Sequence, residues 1–278
     1  MCMVVFCLVS IAVVLYLPNY YTSQAVLVPQ AQGNGDAGGR LAGSLGGFAQ
    51  LAGIDIGNSE IDATTIAIET LKSRGFVTDF IRRHQILVPL MAGDRWNPRS
   101  RVLSIDRSDY DVESKTWVRD VNLPRTPKPS DWEAYERFEE IMRINQDQDT
   151  GIITISVEFL SPILAKQWVD WLVNDINTLM RENDTQEAEK SIAYLEGKIQ
   201  ETNISAVREA LVHLLEQNYR TVTLANVREE YMLKTIDRAV EAEEKSRPSR
   251  GLIIALATFG GLVIGSFISL LRRNVESS

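Results

Sequence analysis

Residues 149–179, DTGIITISVEFLSPILAKQWVDWLVNDINTL, decide the fold. Residues 147–151 read as a turn. After it Ile153, Ile155, Val157 and Phe159 alternate with Thr154, Ser156 and Glu158, which places one apolar face on a strand. Ser161 and Pro162 then mark a helix start: the serine oxygen can accept an otherwise unpaired backbone N–H, and proline lacks a donor where none is needed. From Leu164 through Trp168, Leu172, Ile176 and Leu179, then Ala188, Ile192, Leu195 and Ile199, apolar residues keep near-helical spacing, interrupted by no proline and one glycine, Gly197. A strand handing over to a long helix predicts an α+β fold.

Toward the C-terminus, Thr202-Asn203-Ile204-Ser205 reads as a capping-type break. A second periodic run then carries Val207, Leu211, Leu214, Val222, Ala225, Met232, Ile236 and Val240, with Arg208, Glu209, Glu216, Arg220 and Glu230 off the stripe. Fully helical, the two runs would be roughly 60 Å and 54 Å long, so residues 161–248 are expected to fold back as one antiparallel hairpin. A lone hairpin cannot bury stripes of that length, and neighbouring subunits are the expected cover.

Toward the N-terminus, residues 19–160 are expected to form an α/β base. Ser130 and Glu133 have the spacing of a capping box, predicting a helix to about Ile144. The polar region 94–129, with Pro124, Pro127 and Pro129, reads as extended or looped. Amphipathic helical patterns cover 61–72 and 76–83, and residues 22–28 are β-prone. Between them, residues 31–57 are dense in glycine. Gly33, Gly35 and Gly38 spell G-x-G-x-x-G, yet Gly39, Gly43, Gly46 and Gly47 disfavour the helix that a dinucleotide site requires. Residues 42–46 miss the G-x-S-x-G spacing by one position, and a loop is the expectation.

At the ends, residues 1–17 are apolar apart from Ser10, and residues 251–271 are apolar apart from Thr258, Ser266 and Ser269. At about 1.5 Å per residue the second spans roughly 31 Å, a hydrocarbon thickness, and the first about 26 Å. Residues 1–18 and 249–273 are therefore expected to be transmembrane helices, with 274–278 a short tail. Tyr16, Tyr20 and Tyr21 supply the aromatic belt of the first, and Arg272 and Arg273 close the second. The first is expected to be an uncleaved anchor, with the natural start upstream of Met1. Lys245, Arg247 and Arg250 flank one end of the second span and Arg272 and Arg273 the other, so charge counting leaves the orientation open. Gly260, Gly261 and Gly265 include one small-xxx-small spacing, which fits helix association or the ordinary glycine content of membrane helices equally well.

A net charge of −8 argues against a nucleic-acid partner, because phosphate neutralisation needs clustered Lys and Arg. The cysteines, Cys2 and Cys7, lie inside the first apolar stretch and leave the central domain without a disulfide. Asp147, Asp149 and Glu158 approach calcium-loop spacing, but the glycine falls one position early. His84 and His213 have no cysteine or second histidine at ligand spacing, so ordinary helix roles are expected and no metal or cofactor is implied. Trp96, Trp117, Trp132, Trp168 and Trp171 are expected in the core or in subunit contacts rather than against sugars.

In order, five pieces resemble the chain-length determinant (Wzz-type) family, the polysaccharide co-polymerases of Gram-negative inner membranes. They are residues 41–54 (LAGSLGGFAQLAGI), 71–76 (LKSRGF), 149–162, 226–231 (NVREEY) and 247–250 (RPSR) before the glycine-bearing final stretch. The resemblance implies an inner-membrane homo-oligomer with a periplasmic central domain and cytoplasmic termini. It further implies a non-catalytic regulator of O-antigen chain length, working with the membrane-embedded polymerase on lipid-linked glycan. Pro248 and Arg250, with Gly260, Gly261 and Gly265, are the implied length-control and span-packing positions. The family's proline-rich approach is reduced here to Pro248, with Arg238 and Ala242 where prolines are usual. No G-x-x-x-x-G-K-[ST] occurs, so the kinase-free type is expected. The competing readings are a periplasmic glycan-processing enzyme built on Asp and Glu pairs and a sensory domain between two spans.

Overall fold

The computed structural model describes residues 17–30, 63–251, 255 and 258–260. The two apolar ends and the glycine tract, with its two near-miss motifs, lie almost wholly outside these residues. Among the described residues no helix is long and apolar enough to cross a membrane.

A four-stranded antiparallel sheet forms the base, in the order β6-β7-β1-β8. These strands are β1 (Tyr21–Pro29), β6 (Met142–Gln146), β7 (Ile153–Phe159) and β8 (Leu233–Asp237). Strand β7 alternates as its sequence predicts, with Ile153, Ile155, Val157 and Phe159 all buried. Antiparallel pairing sets Leu27 opposite Ile153 and Ala25 opposite Ile155, so one continuous apolar face results. Two small hairpins, β2–β3 (Gly93–Asn97, Val102–Ile105) and β4–β5 (Tyr110–Asp111, Thr116–Trp117), organise the region read as loop. Gly93 is required there: a Cβ would stand 2.4 Å from the Pro89 carbonyl oxygen.

The helices are α1 (Ala63–Lys72), α2 (Arg74–Arg83), α3 (Leu87–Ala92), α4 (Asp131–Ile141), α5 (Pro162–Glu201) and α6 (Ser205–Val227). The expected capping box opens α4: Ser130 Oγ accepts from Glu133 N–H, and the Glu133 carboxylate accepts from Ser130 N–H. Ser161 caps α5, with Pro162 in its first turn. Trp168, Val169, Leu172, Val173, Ile176 and Met180 follow at three- and four-residue steps and press α5 against the sheet. Trp168 is fully buried, its ring 4.5 Å from that of Phe159 and 6.0 Å from that of Phe138. Phe138 and Phe80 continue this cluster, centroids 5.3 Å apart, so α2 and α4 share one core with α5.

Two boundaries differ from the sequence reading. Helix α4 stops at Ile141 rather than near Ile144, because Met142 and the next four residues pair with β7. The second long run is helical only to Val227, so 161–248 is not one helical hairpin. Met232 and Ile236, at helical spacing, instead belong to the approach to β8 and to β8 itself, which closes the sheet against β1. Side chains stabilise that strand from both directions. Asn177 holds the backbone of Met232 and Leu233, and the Glu230 carboxylate accepts from Thr235 N–H and Oγ1–H. These bonds occupy donors on an edge strand that would otherwise invite another chain.

The shape follows from chain direction. Strand β7 ends opposite the start of β1, so α5 begins beside Tyr21 and runs back along the sheet. At Asn177 it reaches Leu233, which pairs with Pro29 at the far end of β1. The 24 residues from 178 to 201 therefore extend about 36 Å beyond the sheet, and the 23 residues of α6 return about 34 Å. Tyr231 Oη donates to Asp184 and Tyr219 Oη to Glu196, matched steps along the two limbs.

Candidate functional site

The expected length-control residues sit where the two ends of the domain meet. Tyr20 N–H donates to the Arg247 carbonyl at 3.0 Å, and Ser246 N–H donates to the Tyr20 carbonyl at 2.8 Å. Ser246 Oγ–H donates to Glu158 Oε1 at 2.7 Å, and the same oxygen lies 3.3 Å from Arg247 Nε. Arg250 Nη2 donates to Asn19 Oδ1 at 3.0 Å. Residues far apart in the sequence are thereby latched.

Beside the latched segments runs a groove of about 460 Å³, walled by Leu17, Pro18, Tyr20 and Pro248, with Arg247 on its rim. The Arg247 side chain is 67% exposed, and its Nε faces Glu158. Arg250 Nε is buried without a hydrogen-bond partner. The structure thus brings Pro248 and Arg250 to one place. Gly260 lies further along, with nothing within 4 Å of where a Cβ would stand, and Gly261 and Gly265 fall outside the described residues. Asn19, Tyr20, Glu158 and Ser246 complete the latch and were missed in the sequence; Ser246 and Tyr20 are 226 residues apart, and no local pattern marks them.

A second polar cluster joins α2 to α5. Asp175, 4% exposed, forms an ion pair with Arg83 Nη1 at 3.1 Å and sits 2.9 Å from His84 Nε2, whose ring stacks on Trp171 at 4.2 Å. His84 is therefore not an ordinary helix residue: it is the α2 C-cap and part of an inter-helix clamp. His213 lies on exposed α6 near Glu216. Asp147 closes its turn, its Oδ1 accepting from the N–H groups of Thr150 and Asp149, which hold its carboxyl below the usual carboxylate range. Among the described residues no group of three or more His, Cys, Asp or Glu is placed to hold a metal ion. Trp132 is 52% exposed and Trp168 wholly buried, so the tryptophans do not form one surface. A polar groove of about 470 Å³, lined by Lys166, Asp170, Asn174, Glu229, Glu230 and Arg238 among others, follows α5 beside β8.

No family profile matches the chain, and no curated protein matches it. Solved structures do. A full-length bacterial polysaccharide co-polymerase aligns over 100% of this chain and 94% of its own, at 13% identity and a TM-score of 0.35. A fragment of WzzB, a polysaccharide co-polymerase from Salmonella Typhimurium, aligns over 82% of this chain and 100% of its own, at 12% identity and a TM-score of 0.30. Both of these structures are polysaccharide co-polymerases.

Proposed function

We propose that this protein is a non-catalytic regulator of polysaccharide chain length, acting on the O-antigen of lipopolysaccharide as an inner-membrane oligomer beside the glycan polymerase. The observation that carries this reading is the latch between Tyr20 and Arg247. It brings Tyr20 and Arg247, which adjoin the two apolar stretches in sequence, to one place, while the α5–α6 hairpin points away past the far end of the sheet. Two spans and a periplasmic projection account for that arrangement with no further element. The five sequence segments that resemble the chain-length determinants, in family order, support the same reading.

Assembly is supported by the hairpin's own surface. Along α6 Ala225 is the residue that is buried, whereas Val207 and Leu214 on α6, Ile204 just before it and Tyr194 on α5 are 45–65% exposed. At roughly 25 cal/mol per Å² of apolar surface removed from water, covering such a stripe in a ring of copies stabilises each subunit by several kcal/mol. Deleting the gene should broaden or shift the lipopolysaccharide ladder, and restoring it should return the modal length. An unchanged ladder, with other surface glycans also unchanged, would remove the proposal. Cross-linking in native membranes should recover multimers, and Leu214→Asp should reduce them.

A further inference from the structure

We infer that the groove at the latch seats an anionic membrane phospholipid, its phosphate at the Arg247 and Arg250 guanidinium groups and the start of its acyl chains along Leu17, Pro18, Tyr20 and Pro248. The inference rests on the membrane reading of the flanking segments, and the groove lies where residues 1–17 and 251–271 join the domain.

Two features of the groove select this occupant. Its walls are apolar, four of the seven lining residues being Leu17, Pro18, Tyr20 and Pro248, which suits hydrocarbon rather than a sugar or a free ion. Its rim is cationic: the Arg247 side chain is two-thirds exposed, with its Nε 3.3 Å from Glu158 Oε1. Arg250, two residues on from the groove-lining Pro248, commits Nη2 to Asn19 and leaves Nε buried with no partner. A buried guanidinium N–H without an acceptor is costly, and a phosphodiester oxygen offers a charge-assisted one. Guanidinium suits this role because its fork of donors matches phosphate oxygens. A lipid held there would bridge residues 17–20 and 246–249, adding to a latch otherwise made of backbone hydrogen bonds and the Glu158 and Asn19 contacts.

The test uses the full chain in mild detergent, analysed by native mass spectrometry with phosphatidylglycerol as probe and chain-free glycerophosphoglycerol as competitor. The wild type should retain phosphatidylglycerol. The R247Q/R250Q double variant should retain at least fivefold less, R247K/R250K at least half the wild-type amount, and the charge-matched R220Q control on α6 an unchanged amount. Helicity by circular dichroism, equal across the set, excludes misfolding as the cause. Equal retention by R247Q/R250Q overturns the inference, as does displacement by the chain-free phosphodiester, which would make the site one for a soluble anion. Flotation with phosphatidylglycerol vesicles separates the two levels: a wild type that does not float removes the membrane reading itself, whereas one that floats but retains lipid regardless of Arg247 and Arg250 removes only the groove assignment.

Discussion

The Asn177 side chain binds Leu233 as a neighbouring strand would, Oδ1 accepting the Leu233 N–H and Nδ2 donating to the Leu233 carbonyl, each at 2.9 Å. Oδ1 also accepts from Met232 N–H at 2.8 Å. One amide on α5 thus fixes where the chain, back from the hairpin, enters the sheet.

Asn177→Ala leaves two backbone donors and one acceptor without partners in a mostly buried setting. With each such group costing about 1–3 kcal/mol and partial relief from the adjoining groove, a loss of about 2–3 kcal/mol is expected. Denaturant unfolding should read it, and amide exchange at Met232 and Leu233 should accelerate before the rest of the sheet. Unaltered exchange at those two positions would remove the strand-anchoring role.

Trp168 fills the centre of the core, but its Nε1–H is buried without a partner. Trp168→Ala opens a cavity and should cost about 3–5 kcal/mol. Trp168→Phe retains much of the ring and abolishes the orphaned donor, so the expected cost is much smaller, about 1 kcal/mol. Two variants equal in stability would contradict this account.

The capping box of α4 gives an acid-side prediction. Burial pushes the Glu133 carboxyl upward, but the hydrogen bond from Ser130 N–H and the Arg119 guanidinium outweigh it and hold the carboxyl below the ordinary glutamate value. A depressed folded-state value stabilises the protein above the unfolded pKa of about 4.3, and that contribution disappears as pH falls through the folded value. Glu133→Gln should flatten the acid limb of the stability profile, and Ser130→Ala should cost about 1 kcal/mol at neutral pH.

Tyr231 makes the matching prediction at high pH. Burial, then its hydrogen bond to Asp184, raise the phenol well above its ordinary value. A raised folded-state value gives stability that is complete below the unfolded pKa of about 10 and is lost as pH climbs through the folded one. The midpoint of unfolding should therefore fall more steeply above about pH 10 in the wild type than in Tyr231→Phe.

What the sequence by itself determined was whatever rests on near neighbours. The alternation of Ile153 to Phe159, the caps at Ser130 and Ser161, and the turn at Asp147 each depend on residues a few positions apart, and each stands in the structure. Tertiary structure alone decided β6 and β8. Met232 and Ile236 stand four residues apart, a spacing that fits one face of a helix, while the partners that make a strand there are Asn177 on α5 and β1 two hundred residues earlier. The clamp of His84 on Asp175 and the latch of Tyr20 on Arg247 are likewise invisible locally. Periodicity and capping are written in short windows, because they report what one segment can bury or satisfy alone. Which edge a segment joins depends on the donors and apolar faces that distant segments leave unpaired, and these exist only after the chain has folded.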